Sequence, residues 1–270
     1  MSVRIEKNGE VATIINDRIN ARNAVDPETA DALTAAFLAF DHDQGAKVAV
    51  FYGEGGAFCA GWDLKYASEL TERERFRAEI VERLAFTMGA ASAPRGPMGP
   101  SRLELSKPVI AAVEGPAVAG GMELAMWCDM RVMADDAYFG VYCRRWGIPL
   151  IDGGTVRLPR LVGLGRAMDI VLTGRKVEAD EALRIGLCER VVPRGTARAA
   201  AEALAHSIAR FPQAAVLADR RSVYEGHGLS VHEALKREWA AGVEAHFAEG
   251  AAGAGRFSSG QGRHGEFERI

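Results

Sequence analysis

Apolar and polar residues alternate over residues 3–6, and residues 11–15 are mainly apolar, with Asn8-Gly9 between the two runs. Asn-Gly between such runs favours the tight turns of hairpins, so RIEK and VATIIN are expected to pair as β-strands. The period then changes. Ala30, Leu33, Phe37 and Phe40 recur at helical spacing, which predicts one buried helix face. Asp26 reads as the N-cap and Pro27 as the first helical residue, with the helix running to about Asp43. Residues 48–52 and 109–113 are short continuous apolar runs, as expected of buried strands.

Residues 71–102 break this rhythm. TERERFRAEIVERL predicts a charged amphipathic helix. ASAPRGPMGPSR offers little to bury, and its Pro, Gly and Ser predict a mobile segment over a site rather than a domain linker. Apolar strands resume after Lys107-Pro108. From about Asp180 the pattern reads as wholly helical, with helices expected over 196–210, 213–225 and 230–249. The Gly-rich tail from residue 253 is expected to be irregular.

Composition adds mainly exclusions. The chain has 270 residues, 48% apolar and 26% charged, ordinary values for a soluble globular protein. A net charge of −3 supplies no basic field for nucleic acid. No apolar run approaches the roughly 18 residues of a membrane span. The start, MSVRIEKNGE, has no signal-peptide core. Cys59, Cys128, Cys143 and Cys188 show neither paired nor zinc-like spacing. No membrane or metal is expected, and the location expected is cytoplasmic.

Two segments carry the candidate chemistry: AFCAGWDLK at 57–65 and AAVEGPAVAGGMELAMWCDMRVMA at 111–134. Each follows a strand-like apolar run. Small residues let the backbone turn with its N–H groups exposed. Gly120 and Gly121 open an apolar helix with Glu123 in its first turn. Donors at a helix N-terminus attract negative charge. Two donors aimed at one point would form an oxyanion hole, with a carboxylate one turn away to move protons. Glu123 lies among apolar residues, where a carboxylate is costly unless it is paired or functional. It is either catalytic or ion-paired to an arginine, or both.

These segments resemble the enoyl-CoA hydratase/isomerase (crotonase) superfamily. The resemblance runs from Ile5 to about Gly250, through AYFG at 137–140, DGGTVRLPRLVG at 152–163 and LTGRKVEADEALRIGLCERVVP at 172–193. It implies an α/β fold: a spiral of strand–strand–helix units over residues 1–195, followed by a helical C-terminal region over 196–270. That region would build trimers, commonly stacked as hexamers. The implied substrate is an acyl-CoA thioester, and no cofactor is needed beyond the CoA it carries. By motif position the thioester oxygen would meet the N–H groups of Trp62 and Gly120. Ala60, Asp63, Leu64 and Lys65 would line the CoA path. Lys65 is placed to meet a phosphate, and Arg22 is a second candidate.

The chain also departs from the family pattern. The family's hydratases carry a second glutamate a few residues after the AxFG motif, where this chain has Cys143. A thiol is a poor substitute for a carboxylic acid that protonates carbon. Cys143 is either reactive or a small packing residue. Asp152 stands where some relatives carry a functional aspartate, and it also reads as a helix N-cap. Arg144 or Arg145, if turned inward, would hold Glu123 ionised or bind a polar acyl group, and otherwise would meet solvent or another subunit. No histidine lies between His42 and His206, and GxSxG and Walker A motifs are absent. The expected function is an acyl-CoA enzyme of hydratase/isomerase type. The alternatives are an isomerase or thioesterase on the same scaffold, or a non-catalytic acyl-CoA-binding protein.

Overall fold

The computed structural model describes residues 2–86 and 93–265. The hairpin forms as β1 (Val3–Asn8) and β2 (Val11–Asn16), antiparallel, with Ile5 opposite Ile14. Helix α1 (Pro27–His42) begins where Asp26 accepts the Thr29 N–H at 2.8 Å. Its inward face is the expected one: Ala30, Leu33, Phe37 and Phe40 are all buried. Then follow β3 (Val48–Gly53), α2 (Leu64–Glu69) and α3 (Arg73–Phe76), the last continued by a π-helical stretch over Arg77–Glu82. The centre of the chain holds β4 (Val109–Val113), β5 (Pro116–Val118), α4 (Gly120–Trp127), β6 (Met130–Ala134) and β7 (Tyr138–Gly140). Next come α5 (Gly154–Val162), α6 (Leu164–Thr173), β8 (Lys176–Glu178), α7 (Ala179–Ile185) and β9 (Arg190–Val192). The chain ends in α8 (Ala197–Ala209), α9 (Gln213–Glu225), α10 (Val231–Ala245) and α11 (Ala251–Ser258).

The strands form a six-stranded sheet of order β1-β2-β3-β4-β6-β9 and a smaller sheet β5-β7-β8. From β2 to β9 the large sheet is parallel. Parallel strands are usually covered on both faces, which explains the continuous apolar runs of β3 and β4. Val48, Val50, Ile110, Ala112 and Val132 pack under Ala201, Leu204 and Ala205 of α8. Phe51, Ala111 and Val113 face the other way, into the core shared with Leu33, Phe37 and Leu124.

Three expectations change. The stretch after residue 180 is not wholly helical, because β9 pairs with β6, Arg190 opposite Val132. Three residues are too few to show a strand period. The segment expected to be mobile is well packed over residues 96–101, all of them buried. Its neighbours at 87–92 lie outside the described residues. The tail expected to be irregular is helical over Ala251–Ser258, reached from α10 through a π-helical stretch His246–Gly250. Extending an existing helix avoids the cost of nucleating one, which outweighs weak local propensity. Residues 266–270 of that tail are also outside the described residues. Among the described residues, no helix is long and apolar enough to cross a membrane.

Candidate active site

The two glycine segments meet edge to edge. The Cys59 N–H donates to the Pro116 carbonyl at 3.2 Å, and the Val118 N–H returns to the Cys59 carbonyl at 3.0 Å. Gly61 has φ +94°, and a Cβ on it would lie 3.1 Å from the Gly120 nitrogen. Only glycine permits both the conformation and the approach. A Cβ on Gly121 would overlap the Cys59 carbonyl. Ala119, just before α4, is held at φ 53°, the kind of local strain that gathers at functional sites. Around Trp62, the Gly61 carbonyl accepts from Val25 at 2.8 Å and the Asp63 N–H donates to Val25 at 2.9 Å. Among the described residues, the N–H groups of Trp62 and Gly120 have no backbone acceptor.

Every residue of α4 is buried, and Glu123 is 3% exposed. Its Oε1 accepts the N–H of Asp152 at 2.9 Å and that of Gly154 at 2.8 Å. The carboxylate therefore satisfies free donors at the start of α5. Among the described residues it has no arginine ion pair. Burial pushes its pKa up to about 7, and the nearby Asp152 charge adds to the rise, against the opposing pull of those two N–H groups. The group is poised between acid and base at neutral pH. Arg144 and Arg145 do not turn toward it. Arg144 reaches the Val171 carbonyl at 3.3 Å, Arg145 lies 4.1 Å from the Tyr142 ring centroid, and both are exposed.

Asp152 does not cap α5. The N-cap is Gly153, which has no side chain to do so. Instead Asp152 Oδ1 accepts the Met98 N–H at 3.0 Å and a short hydrogen bond from the Ser101 hydroxyl. Its carbonyl accepts from Arg157 at 3.0 Å, and the same guanidinium reaches the Ser101 carbonyl at 2.8 Å. Burial raises the pKa of Asp152 too, against the pull of its Ser101 and Met98 bonds. Cys143 is buried, and burial followed by the Glu123 charge pushes its thiol up, so it stays neutral at pH 7.

Ala60, Trp62, Asp63, Leu64 and Lys65 line one groove of about 840 Å³, together with Arg18. The Asp63 carboxylate caps α2 through the Lys65 N–H at 2.9 Å and pairs with Arg18 at 2.8 Å. Leu64 and Lys65 are exposed there. Arg22 is exposed but does not line that groove. Its link to the loop is through the backbone, its carbonyl accepting the Ala60 N–H at 3.0 Å. Sequence reasoning missed Arg18, Met98, Ser101 and Arg157. The only signal for Met98 and Ser101 was their place in a glycine–proline segment, which also fits an unstructured loop. Among the described residues, no group of three or more His, Cys, Asp or Glu side chains is placed to hold a metal ion.

A spiral α/β core with two abutting glycine loops and a buried glutamate defines a class, and the comparisons agree with it. Residues 6–240 match the model of the enoyl-CoA hydratase/isomerase family. The chain belongs to that family and is an acyl-CoA enzyme of its type. It is 34% identical over 254 residues to enoyl-CoA hydratase EchA19 of Mycobacterium tuberculosis, covering 92% of this chain and 89% of that one. It is 37% identical over 237 residues to carnitinyl-CoA dehydratase of Salmonella arizonae, covering 87% and 85%. A crystal structure of an enoyl-CoA hydratase from Mycobacterium tuberculosis H37Rv superposes with a TM-score of 0.84 at 33% identity, covering 96% of each chain.

Proposed function

We propose that this protein isomerises the double bond of enoyl-CoA thioesters, with Glu123 as the single proton carrier. The thioester oxygen sits between the N–H groups of Trp62 and Gly120. Ionised Glu123 takes a proton from the α-carbon of a β,γ-unsaturated thioester. The electron pair spreads into a dienolate whose oxygen carries the charge between the two donors. Protonated Glu123 returns the proton to the γ-carbon, leaving the conjugated α,β-enoyl thioester. One carboxylate with a pKa near 7 suffices for both half-steps.

The observation that supports this reading is the environment of Glu123: buried, unpaired with any arginine among the described residues, and anchored by two backbone donors. Hydration is the second reading, favoured by relatives named as hydratases and a dehydratase. It needs a base for water and an acid for carbon; the raised Cys143 thiol stays protonated, so it is no base, and it is a far weaker acid than a carboxylic acid. The CoA moiety would follow the groove past Ala60, Asp63, Leu64 and Lys65, with Lys65 on a phosphate and Arg22 at its margin. No further cofactor enters this scheme.

We further propose a trimer, or a dimer of trimers, built by the C-terminal region from residue 196. Helix α8 is spent on covering the sheet. Beyond it, Val223, Val231, Leu235, Trp239, Phe247 and Phe257 are all exposed, more large apolar side chains than a free surface normally gathers in one region. The functional test is conversion of a β,γ-enoyl-CoA to its conjugated isomer, read by ultraviolet absorbance. Turnover lost in Glu123→Gln supports the reading. Thioester binding without turnover in the unmodified protein would make it a binding module, and hydration faster than isomerisation would favour the second reading.

A further inference from the structure

The buried turn at residues 96–101 borders, through Ser101, a large cavity whose lining also includes Leu150 and Asp152 beside Glu123. That cavity measures about 1310 Å³ and is lined in part by Ser101, Leu105, Trp127, Leu150, Asp152 and Leu217. Glu123, Gly120 and Met98 do not line it. Asp152 sits at the boundary. Its N–H holds Glu123 on one side, while its carboxylate holds Met98 and Ser101. The turn closes on itself, Gly96 and Gly99 exchanging backbone hydrogen bonds at 2.9 Å in both directions. A side chain on Gly96 would overlap Ser101 Oγ and come within 2.5 Å of Asp152 Oδ1, so the turn has no slack against its anchor. Met98, 1% exposed, lies against the start of α4: a Cβ on Gly120 would come within 2.6 Å of its sulfur.

We infer that Met98, pinned by the Asp152 carboxylate, is the specificity-determining residue that restricts the site to short-chain acyl thioesters. This rests on the reading of Gly120 and Glu123 given above. An acyl chain activated at the Gly120 N–H meets the Met98 thioether before it reaches the cavity behind. A short acyl group ends before this wall. A long one must displace a buried methionine whose backbone is tied to a buried carboxylate. Methionine is adaptable in its side chain, but two anchored hydrogen bonds fix where that side chain starts. The cavity beyond is apolar in much of its lining and roomy enough for the rest of a long chain.

The test compares kcat/KM for β,γ-unsaturated hexenoyl-CoA and dodecenoyl-CoA in the unmodified protein and in Met98→Ala. The unmodified protein is expected to prefer the shorter thioester by roughly tenfold or more, the scale of discrimination a pocket wall provides. In Met98→Ala the dodecenoyl-to-hexenoyl ratio is expected to rise by about the same factor, while Met98→Leu keeps the original ratio. A measurement without variants stands beside it: saturated hexanoyl-CoA should bind the unmodified protein more tightly than dodecanoyl-CoA does, by calorimetry. Equal handling of both lengths by the unmodified protein, or a ratio unmoved in folded Met98→Ala, overturns the inference. Failure of the underlying reading looks different: Glu123→Gln would keep its turnover, or neither thioester would turn over at all.

Discussion

Asp152 faces two ways at Glu123: its backbone N–H donates to the Glu123 carboxylate at 2.9 Å, while its own carboxylate turns to the Met98 N–H at 3.0 Å. The two acidic residues are therefore not interchangeable. One has both neighbouring donors aimed at it and a pKa near 7, and the other is a buried anchor whose charge raises that pKa. Replacing Asp152 by Asn keeps an acceptor for Met98 and Ser101 but removes the charge. The pH–rate limb set by Glu123 is then expected to move to lower pH. Asp152→Ala leaves two buried donors unmet and should cost about 1–3 kcal/mol of stability by denaturant unfolding. An Asn variant with an unmoved pH profile would show that the Asp152 charge does not reach Glu123.

Glu123 should also mark the stability of the fold. Its folded-state pKa is raised from an ordinary 4.5 to about 7, so the protonated form is favoured by folding. Its stabilising contribution is full below pH 4.5 and is lost as pH rises through 7. The loss across that window is about 3 kcal/mol. Glu123→Gln keeps an acceptor for both N–H groups without the charge. It is expected to be more stable than the unmodified protein at pH 8 and no more stable at pH 4. Thermal unfolding at the two pH values checks this, and a constant difference would contradict it.

Cys143→Glu restores a carboxylate at the position where the family's hydratases carry their second glutamate. Crotonyl-CoA hydration is expected to rise by roughly 10²-fold, the contribution of one general acid or base. Some stability should be lost, because position 143 is buried. Unchanged hydration in a folded variant would show that position 143 does not face the acyl group.

Lys65 tests the CoA path with least disturbance to the fold, since its side chain is exposed. Lys65→Ala is expected to raise KM for acyl-CoA roughly two- to fivefold with kcat held, as for the loss of one exposed charge contact. A fall in kcat with KM unchanged would place Lys65 elsewhere than on the CoA moiety.

The proposed trimer or dimer of trimers rests on the exposed apolar side chains of the C-terminal helices. Light scattering is expected to give the mass of three or six chains, and Trp239→Glu, changing a residue 74% exposed in the single chain, should weaken the assembly. A stable monomer at micromolar concentration would contradict this.

What the sequence made legible was local. Asp26 caps α1 through a residue three positions away, and the glycines that bring the loops at 61 and 120 together advertise the backbone conformations they permit. The family resemblance supplied the pairing of those loops. What stayed hidden was non-local. Asp152 meets Met98 and Ser101 across 54 and 51 residues of chain, so nothing near 152 distinguishes an anchor from a cap. Residues 96–101 have the composition of a loop, and they are held by a distant carboxylate and packed against α1 and α4. β9 is three residues long and becomes a strand only because β6 lies beside it.

In the proposed reaction Glu123 moves a proton at the α-carbon of a thioester activated by two backbone donors. The most direct measurement of that transfer is deuterium uptake into saturated hexanoyl-CoA, incubated with the protein in D₂O and followed by NMR at the α-position. A saturated thioester has no double bond to shift or hydrate, so it reports the proton transfer alone. Uptake that rises with pH through about 7, and that is lost in Glu123→Gln while hexanoyl-CoA still binds, is the expected result. Binding without uptake in the unmodified protein, or uptake undiminished in Glu123→Gln, would contradict it.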